Sequence, residues 1–209
     1  MFTKKNKTMK RGKKAGTVVN SGGFGCLFSP ALKCKKEKTR KKNYVSKLLI
    51  KKYGEQEYNI LTKIHEKLKK IKNYDKHFLL KDIEKCIPDT LDKEDKKDFD
   101  NKCESLTKIN IVSDNINNNL DNLVSINLPY SGISLFDWFY KDDYISSKKL
   151  INLNNIIISL LKNAIIPMSK KHVIHGDIKD KKILIDDKKN VRIIDWGISL
   201  IIDKEDKSK

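Results

Sequence analysis

The chain has 209 residues, of which 45 are Lys or Arg and 27 are Asp or Glu, so its formal net charge is +18. This length suffices for one large domain or two small lobes around a real core, and a hydrophobic share of 38% excludes a wholly disordered chain. We find no apolar run near the roughly 18 residues of a membrane span and no apolar stretch of a signal peptide at the basic N-terminus.

The positive charge is concentrated in the first quarter of the chain. Residues 1–52 contain 17 Lys or Arg but a single acid, Glu37. Such a segment attracts nucleic acid, an acidic protein or an anionic membrane surface, unless it is simply a solvated tail. No aromatic residue lies between Lys4 and Lys14, so base stacking is not indicated. We expect a disordered basic arm at residues 1–15, and an acidic partner or nucleic acid remains open for the whole basic segment.

The first predicted elements form a hairpin around a glycine-rich turn. Residues 17–19 and 26–28 are strand-like. A turn of small residues lets backbone N–H groups approach phosphate oxygens closely, although an ordinary hairpin has the same pattern. The residues of this candidate phosphate-binding turn are Asn20, Ser21, Gly22, Gly23, Phe24 and Gly25.

A charged loop over residues 33–43 leads to a short strand, Tyr44–Ile50, that contains Lys47. A helix is then predicted over residues 55–71, because four residues of this segment recur with helical spacing. Intervals of four, three and four positions place these residues on one helix face: Glu57, Leu61, Ile64 and Leu68.

The middle of the chain is the least regular. Residues from about 81 to 125 include LDKEDKKDFDNK and DNINNNLDN. We predict a long polar insertion there, with short pieces of strand or helix and partial disorder. Residues 123–128 are strand-like, and residues 129–132 form a connector.

The last third alternates apolar and polar segments. A helix is predicted to open at residues 135–140, and residues 154–171 form a strongly apolar helix, in which Pro167 must either cause a kink or begin a new turn. Two short strands, 183–185 and 191–194, follow. Their polar connection contains Asp186 and Asp187, which we interpret as turn residues.

The cysteines carry little signal. Cys26, Cys34, Cys86 and Cys103 show no CxxC spacing, so a zinc site is not indicated. Because we find no secretion signal, we predict reduced thiols in an intracellular protein.

Two aspartate-containing segments flank the last hairpin: VIHGDIKDKKILI at residues 173–185 and VRIIDWGIS at residues 191–199. They follow, in order, the glycine-rich turn, the strand lysine and the helix glutamate, and this order is more specific than any single motif. The chain thus resembles the eukaryotic-type protein kinase superfamily and is most similar to serine/threonine-protein kinases of giant DNA viruses. The resemblance covers residues 16–200, with the middle third poorly matched.

The resemblance implies an α+β fold with two lobes. A small lobe of antiparallel strands plus one helix would span residues 16–128, with the polar insertion inside it. Residues 129–132 would form a hinge, and ATP would bind between the lobes. Residues 133–209 would form a truncated helical lobe, because the chain ends twelve residues after Gly197.

The resemblance also implies ATP and Mg²⁺ as cofactors. Asn20, Gly22 and Gly25 match the three glycine positions of the family's phosphate-binding turn, and Phe24 would cap the phosphates.

Lys47 resembles the strand lysine that holds the α- and β-phosphates, and Glu57 would pair with it. A partly buried lysine needs such a counter-charge to stay protonated. Lys33 is a rival for this role. We prefer Lys47 because only eight positions separate Lys33 from Gly25, which leaves little room for a strand to turn back.

The second group of implied residues lies around the last hairpin. Asp177 would be the catalytic base, and Lys179 would neutralise the transferring phosphate. Asp195 would bind Mg²⁺, since a hard cation prefers carboxylate oxygen. We expect His175 to pack and hydrogen-bond the loop rather than catalyse.

Two residues depart from the family pattern. Gly176 stands where the family has the arginine that reads a phosphorylated activation loop, so such control is not expected. Lys182 stands where the family has an asparagine ligand of the second Mg²⁺. An ammonium has no lone pair and cannot bind a metal; we expect it to weaken metal binding, or to place a positive charge near the phosphates.

The resemblance implies an ATP-dependent phosphotransferase acting on Ser or Thr of a protein substrate, in the host cytoplasm or the virion if the chain is viral. One alternative is a pseudokinase, a non-catalytic nucleotide-binding scaffold. A second alternative is a small-molecule phosphotransferase similar to aminoglycoside and choline kinases. Lys179 and the run from Ser134 to Trp138 argue against the second alternative.

Overall fold

The computed structural model describes residues 16–142 and 144–202. The basic arm predicted at residues 1–15 lies outside this part of the chain. The described part is an α+β structure with one antiparallel sheet of five strands and several helices.

The described residues group into two compact units. Unit 1 comprises residues 16–58 and Asp82–Tyr130, and unit 2 comprises Asn59–Lys81 together with the described residues from Ser131 onward. Residues 59–81 were predicted to belong to the small lobe at residues 16–128. Their contacts instead group them with unit 2.

Unit 1 is built on the five-stranded sheet, whose strands are β1 (Thr17–Ser21), β2 (Gly25–Ser29), β3 (Tyr44–Ile50), β4 (Glu84–Cys86) and β5 (Leu123–Pro129). Their order in the sheet is β1-β2-β3-β5-β4, and every neighbouring pair is antiparallel. The β1–β2 and β3 strands lie where the sequence predicts them. The long pairing of β3 with β5 places Lys47 opposite Ile126, in the middle of the sheet.

Helix α1 (Lys51–Leu68) begins directly after β3. It starts four residues earlier and ends three residues earlier than predicted. Gly54 explains how the helix starts so close to the sheet: a Cβ atom there would lie 1.9 Å from the Val124 side chain. The helix passes from unit 1 into unit 2 after Tyr58.

The polar insertion is ordered and contributes to the core of unit 1. It contains β4, two short helices, α3 (Phe99–Lys102) and α4 (Glu104–Thr107), and two 3₁₀ turns. The short elements were predicted, but partial disorder was wrong. Apolar side chains spaced irregularly through the insertion join one buried cluster with the sheet; those from the insertion are Leu91, Phe99, Cys103, Leu106, Ile111 and Ile116.

All four cysteines form disulfides, Cys26 with Cys103 and Cys34 with Cys86. The prediction of reduced thiols was therefore wrong. Each bond joins the β1–β3 region to the insertion, with Cα–Cα distances of 5.4 Å and 5.8 Å. Spacing along the chain could not reveal this, because the partners are 77 and 52 residues apart.

The same insertion neutralises part of the basic segment. Arg40 binds the buried carboxylate of Asp95 at 2.5 Å, and that carboxylate also accepts the backbone N–H of Gly16 at 2.8 Å. Lys33 pairs with Asp89 at 2.7 Å, and Lys41 pairs with Glu84. An acidic or nucleic-acid partner of residues 1–52 stays a prediction, but these cations already have carboxylate partners in unit 1.

Unit 2 contains the rest of α1 and a set of short elements. Its helices are α2 (Tyr74–His77), α5 (Leu135–Phe139), α6 (Ser147–Leu160) and α7 (Ile166–Lys170). Its strands are β6 (Ile133–Ser134), β7 (Val173–Ile174), β8 (Ile183–Ile185), β9 (Val191–Ile193) and β10 (Leu200–Ile201).

Two small sheets organise these strands. One has the order β6-β8-β9, and the other pairs β7 with β10. The predicted hairpin of residues 183–194 is the β8–β9 pair. The Asp186 carboxylate accepts backbone N–H bonds from Lys188 and Asn190 at 2.9 Å and 2.8 Å. The hairpin therefore holds its two ends, which carry the aspartate-containing segments, at fixed positions within unit 2.

Helices α6 and α7 are joined by a π-helical turn, Leu161–Ile165, into one helical stretch over Ser147–Lys170. It begins seven residues before the predicted start, where the Ser146 hydroxyl accepts the Lys149 N–H as an N-cap. By length and composition this stretch could cross a membrane, with a mean hydropathy of 1.3. One such helix is weak evidence, so the absence of a membrane span stays a prediction.

Candidate functional site

The residues singled out in the sequence fall into two groups, one in each unit. Unit 1 holds the glycine-rich turn together with Lys47 and Glu57, and unit 2 holds Asp177, Lys179, Lys182 and Asp195. Within each unit the structure brings the members of the group into defined local arrangements.

The glycine-rich turn connects β1 to β2. The Gly22 N–H donates to the Gly25 carbonyl at 2.8 Å, which closes the turn. Phe24 at its tip is 55% exposed, and its ring lies 4.9 Å from that of Tyr53 at the start of α1. The Ser21 hydroxyl lies 3.2 Å from that of Ser105, so the polar insertion supports the base of the turn.

The glycines of this turn differ in what the fold demands of them. A Cβ on Gly25 would lie 2.3 Å from the Leu48 carbonyl oxygen, so the sheet requires glycine there. A Cβ on Gly23 would meet nothing within 4 Å, and one on Gly22 only a carbonyl at 3.7 Å. Neither of these two has a positive φ. Unit 1 itself thus gives no steric reason for glycine at positions 22 and 23.

Lys47 and Glu57 form an ion pair in which the ammonium contacts both carboxylate oxygens. The Lys47 ammonium lies 2.7 Å and 2.8 Å from the two carboxylate oxygens of Glu57. The side chains are 22% and 11% exposed, so the pair is largely shielded from water. Helical periodicity placed Glu57 on the inner face of α1, and the central position of β3 brings Lys47 to it.

The rival lysine lies elsewhere in unit 1. Lys33 follows β2 in an irregular segment, and its ammonium pairs with Asp89 of the insertion. The preference for Lys47 over Lys33 thus agrees with the ion pairs of unit 1.

In unit 2, His175 fixes the loop that carries Asp177. Its Nε2–H donates to the Ile194 carbonyl at 3.0 Å, and its Nδ1 accepts the Asp177 N–H at 3.2 Å. The second bond requires an unprotonated Nδ1 and therefore the neutral ring, and burial lowers the pKa of His175, which keeps the ring neutral. The ring also packs edge-on against Trp196, with centroids 4.6 Å apart. These contacts are those of the structural role expected for His175.

The backbone conformation at position 176 explains why this residue is a glycine and not the arginine that the resemblance implies. Gly176 has a φ of +81°, and a Cβ there would lie 2.9 Å from the Ile198 carbonyl oxygen. An arginine would be strained in this left-handed conformation. Asp195 also has a left-handed backbone, with a φ of 66°. Such strain in a residue other than glycine persists only where its surroundings hold it.

The centre of the group in unit 2 is an ammonium that bridges two carboxylates. Lys182 lies in a 3₁₀ turn just before β8, and its Nζ binds Asp177 and lies 2.7 Å from Asp195 Oδ2. The Lys182 carbonyl accepts the Ile194 N–H at 3.0 Å, which ties the turn to the segment before Asp195. Lys179 lies 3.2 Å from Asp177 on its other side.

These contacts set the charge states of the group. Hydrogen bonds from Lys182 and then Lys179 hold the pKa of the Asp177 carboxyl below its usual range. Burial by itself would lower the pKa of Lys182, but its hydrogen bonds to Asp177 and Asp195 outweigh burial and raise it. Asp177 is therefore ionised and Lys182 is protonated at neutral pH.

The donors at this point do not fit Mg²⁺ as they stand. Both carboxylates are bound by the Lys182 ammonium, which offers no lone pair to a metal. Among residues 16–142 and 144–202, no group of three or more His, Cys, Asp or Glu side chains is arranged to hold a metal ion. The Mg²⁺ ion expected at Asp195 stays a prediction that requires Lys182 to move.

The bridge that Lys182 forms between Asp177 and Asp195 was not predicted from the sequence. Lys182 was expected to weaken metal binding or to place a positive charge near the phosphates, and neither expectation includes these contacts. The available signal was the charge pattern, since an aspartate precedes Lys182 by five positions and another follows the hairpin.

No protein-family model matches this chain, and no match is found among the curated proteins.

Proposed function

We propose that this chain is a nucleotide-dependent phosphotransferase of the protein-kinase type, with two lobes of α+β structure and Ser or Thr of a protein as the acceptor. The proposal is carried by the Lys47–Glu57 ion pair. A lysine shielded from water and held by both oxygens of one carboxylate is oriented as well as charged. It can hold an anionic ligand without first paying the full cost of ordering its side chain.

The glycine-rich turn supports the same ligand class. Gly22 and Gly23 are free of any steric demand from unit 1. The Gly22 N–H already donates to the Gly25 carbonyl, and the absence of a side chain at position 23 leaves the backbone at the tip of the turn open to close approach. Phosphate oxygens are the ligands that such backbone groups suit best. Phe24 at the exposed tip would shield bound phosphates from water.

The aspartates of unit 2 supply the second requirement of phosphoryl transfer. Asp177 is ionised, so it can accept or orient the proton of an attacking hydroxyl. Lys179 lies beside Asp177 and is half exposed, so its ammonium is available to the charge of a transferring phosphoryl group.

One observation favours a second candidate, a nucleotide-binding scaffold without turnover. Lys182 occupies both Asp177 and Asp195, so the general base and the expected metal ligand are already engaged. A scaffold needs only the phosphate-binding residues of unit 1.

The primary experiment measures ATP binding by thermal shift and labelled phosphate transfer to a Ser/Thr protein. We expect both with the wild-type chain, and Lys47→Met should weaken ATP binding roughly 10- to 150-fold, since a bond to a charged group contributes about 1.5–3 kcal/mol. Lys52→Met, which removes an exposed lysine at the start of α1, is the matched control.

Loss of Lys47 alone would leave the Glu57 carboxylate shielded and unpaired, which by itself destabilises a fold. The double variant Lys47→Met/Glu57→Gln removes that complication. Transfer to an amino alcohol instead of a protein would favour the small-molecule phosphotransferase. ATP binding without any transfer would favour the scaffold, and the absence of both would refute the proposal.

The turn glycines give a second test that separates folding from binding. Gly23→Ala should leave the melting temperature unchanged or slightly raised, because the new methyl group meets nothing and the unfolded chain loses freedom. The same variant should weaken ATP-induced stabilisation, because the methyl group obstructs phosphate. Gly25→Ala is the contrasting variant and should destabilise the fold outright. Unaltered ATP binding in Gly23→Ala would show that this turn does not contact the nucleotide.

A further inference from the structure

The Lys182 ammonium has the contacts that a bound cation would have. It binds Asp177, lies 2.7 Å from Asp195, and is 18% exposed. Its backbone is anchored separately, through the bond from the Ile194 N–H to its carbonyl. The side chain thus lies between the two carboxylates and is largely shielded from solvent, unlike a lysine that extends from the surface.

The charges of this cluster are balanced without any further ion. Asp177 and Asp195 contribute two negative charges, and Lys182 and Lys179 contribute two positive ones. A divalent ion added to this balanced set would meet an ammonium at close range, and repulsion between like charges opposes its binding. Removal of Lys182 alone would take away the cation that Asp177 and Asp195 share and would leave the other three groups with a net negative charge.

We propose that Lys182 is the resident cation of the Asp177–Asp195 pair, and that the chain binds its nucleotide without a divalent ion at this pair. The first half concerns unit 2 alone and holds whatever the ligand is. The second half rests on the proposed function, since it requires that a nucleotide binds.

The first measurement is the binding of Mn²⁺ to the full chain in the absence of nucleotide, monitored by electron paramagnetic resonance. The wild-type chain should not bind Mn²⁺ at this pair, whereas Lys182→Asn and Lys182→Met should bind it at least ten-fold more tightly. The added sites should disappear when Asp195→Asn is combined with either variant, which locates the ion. Lys182→Arg keeps the positive charge and should behave as the wild type does.

Two neighbouring lysines provide matched controls. Lys181 is exposed, and its ammonium lies 4.9 Å from the centre of the Phe136 ring; Lys181→Met should leave Mn²⁺ binding unchanged. Lys179 pairs with Asp177 and is half exposed, whereas Lys182 bridges both carboxylates, so Lys179→Met should raise Mn²⁺ binding less than Lys182→Met does. Equal increases in all three variants would mean that net charge, not the bridge, controls metal binding.

The second measurement is ATP-induced thermal stabilisation, with Mg²⁺ and with a chelator. The wild-type chain should be stabilised equally in both, and Lys182→Asn should be stabilised only with Mg²⁺. Wild-type stabilisation that requires Mg²⁺, or tight Mn²⁺ binding at Asp195 in the wild type, would overturn the inference. If ATP stabilises no variant under either condition, the proposed function fails, and the Mn²⁺ measurements still decide the role of Lys182.

Discussion

Reduction of the two disulfides should lower the stability of the protein by several kcal/mol. The bonds close loops of 77 and 52 residues, and cross-links of this kind stabilise by restricting the unfolded chain, typically by about 2–4 kcal/mol each. Both bonds join the β1–β3 region to the insertion. Without them, burial, the β4–β5 pairing and ion pairs such as Arg40–Asp95 would have to hold the insertion in place.

Urea unfolding followed by circular dichroism, with and without reductant, measures this effect. The unfolding midpoint should fall on reduction, and the single variants Cys103→Ala and Cys86→Ala should each show part of the loss. A variant with all four cysteines replaced is the control, since reductant should no longer change its midpoint. Four titratable thiols in the unreduced, denatured protein, together with an unchanged midpoint, would contradict the pairing.

The sequence predicts the parts of the fold in which local pattern and tertiary contact agree. The β1–β2 hairpin follows from its turn residues, and the β8–β9 hairpin follows from the polar connection between two apolar strands. The position of Glu57 on α1 follows from helical periodicity, and its partner Lys47 follows from the family resemblance. In each case the deciding residues are close in sequence or belong to one recognisable motif.

The polar insertion could not be predicted in the same way. Its buried residues, among them Phe99 and Ile116, are apolar positions between charged or other polar ones, with neither a helical nor a strand period. Their burial depends on the sheet, which lies far away in sequence. The buried carboxylate of Asp95 is another example, because only its contacts with Arg40 and Gly16 distinguish it from the exposed acids around it.

In the candidate site, too, some features were predicted from the sequence and others depend on contacts in three dimensions. Family resemblance singled out Asp177 and Asp195, and the structure brings both to one ammonium. The identity of that ammonium depends on the 3₁₀ turn at Asp180–Lys182 and on its bond to the Ile194 backbone. The resemblance implies only that an asparagine is missing, whereas the three-dimensional arrangement shows what the lysine contacts instead.

Replacement of Asp177 by asparagine should reduce phosphoryl transfer about 10²–10⁴-fold, which is the usual contribution of a positioned general base. Asparagine has nearly the same size and can still accept a hydrogen bond from Lys182, but it cannot take up a proton. Because its lysine neighbours keep the pKa of Asp177 low, the carboxylate is a weak base, and in the proposed reaction it would orient the acceptor hydroxyl as much as deprotonate it. The loss should therefore appear in kcat rather than in the affinity for ATP.

The matched control is Asp180→Asn, three residues further along the same loop. Asp180 is exposed, and its carboxylate accepts the Lys181 N–H at 2.8 Å, so the variant tests the same chemical change away from the bridged pair. Asp177→Asn should retain ATP-induced stabilisation while transfer is lost, and Asp180→Asn should retain both. Full transfer by Asp177→Asn would remove this aspartate from the reaction. The activity would then have to depend on groups other than the Asp177 carboxylate.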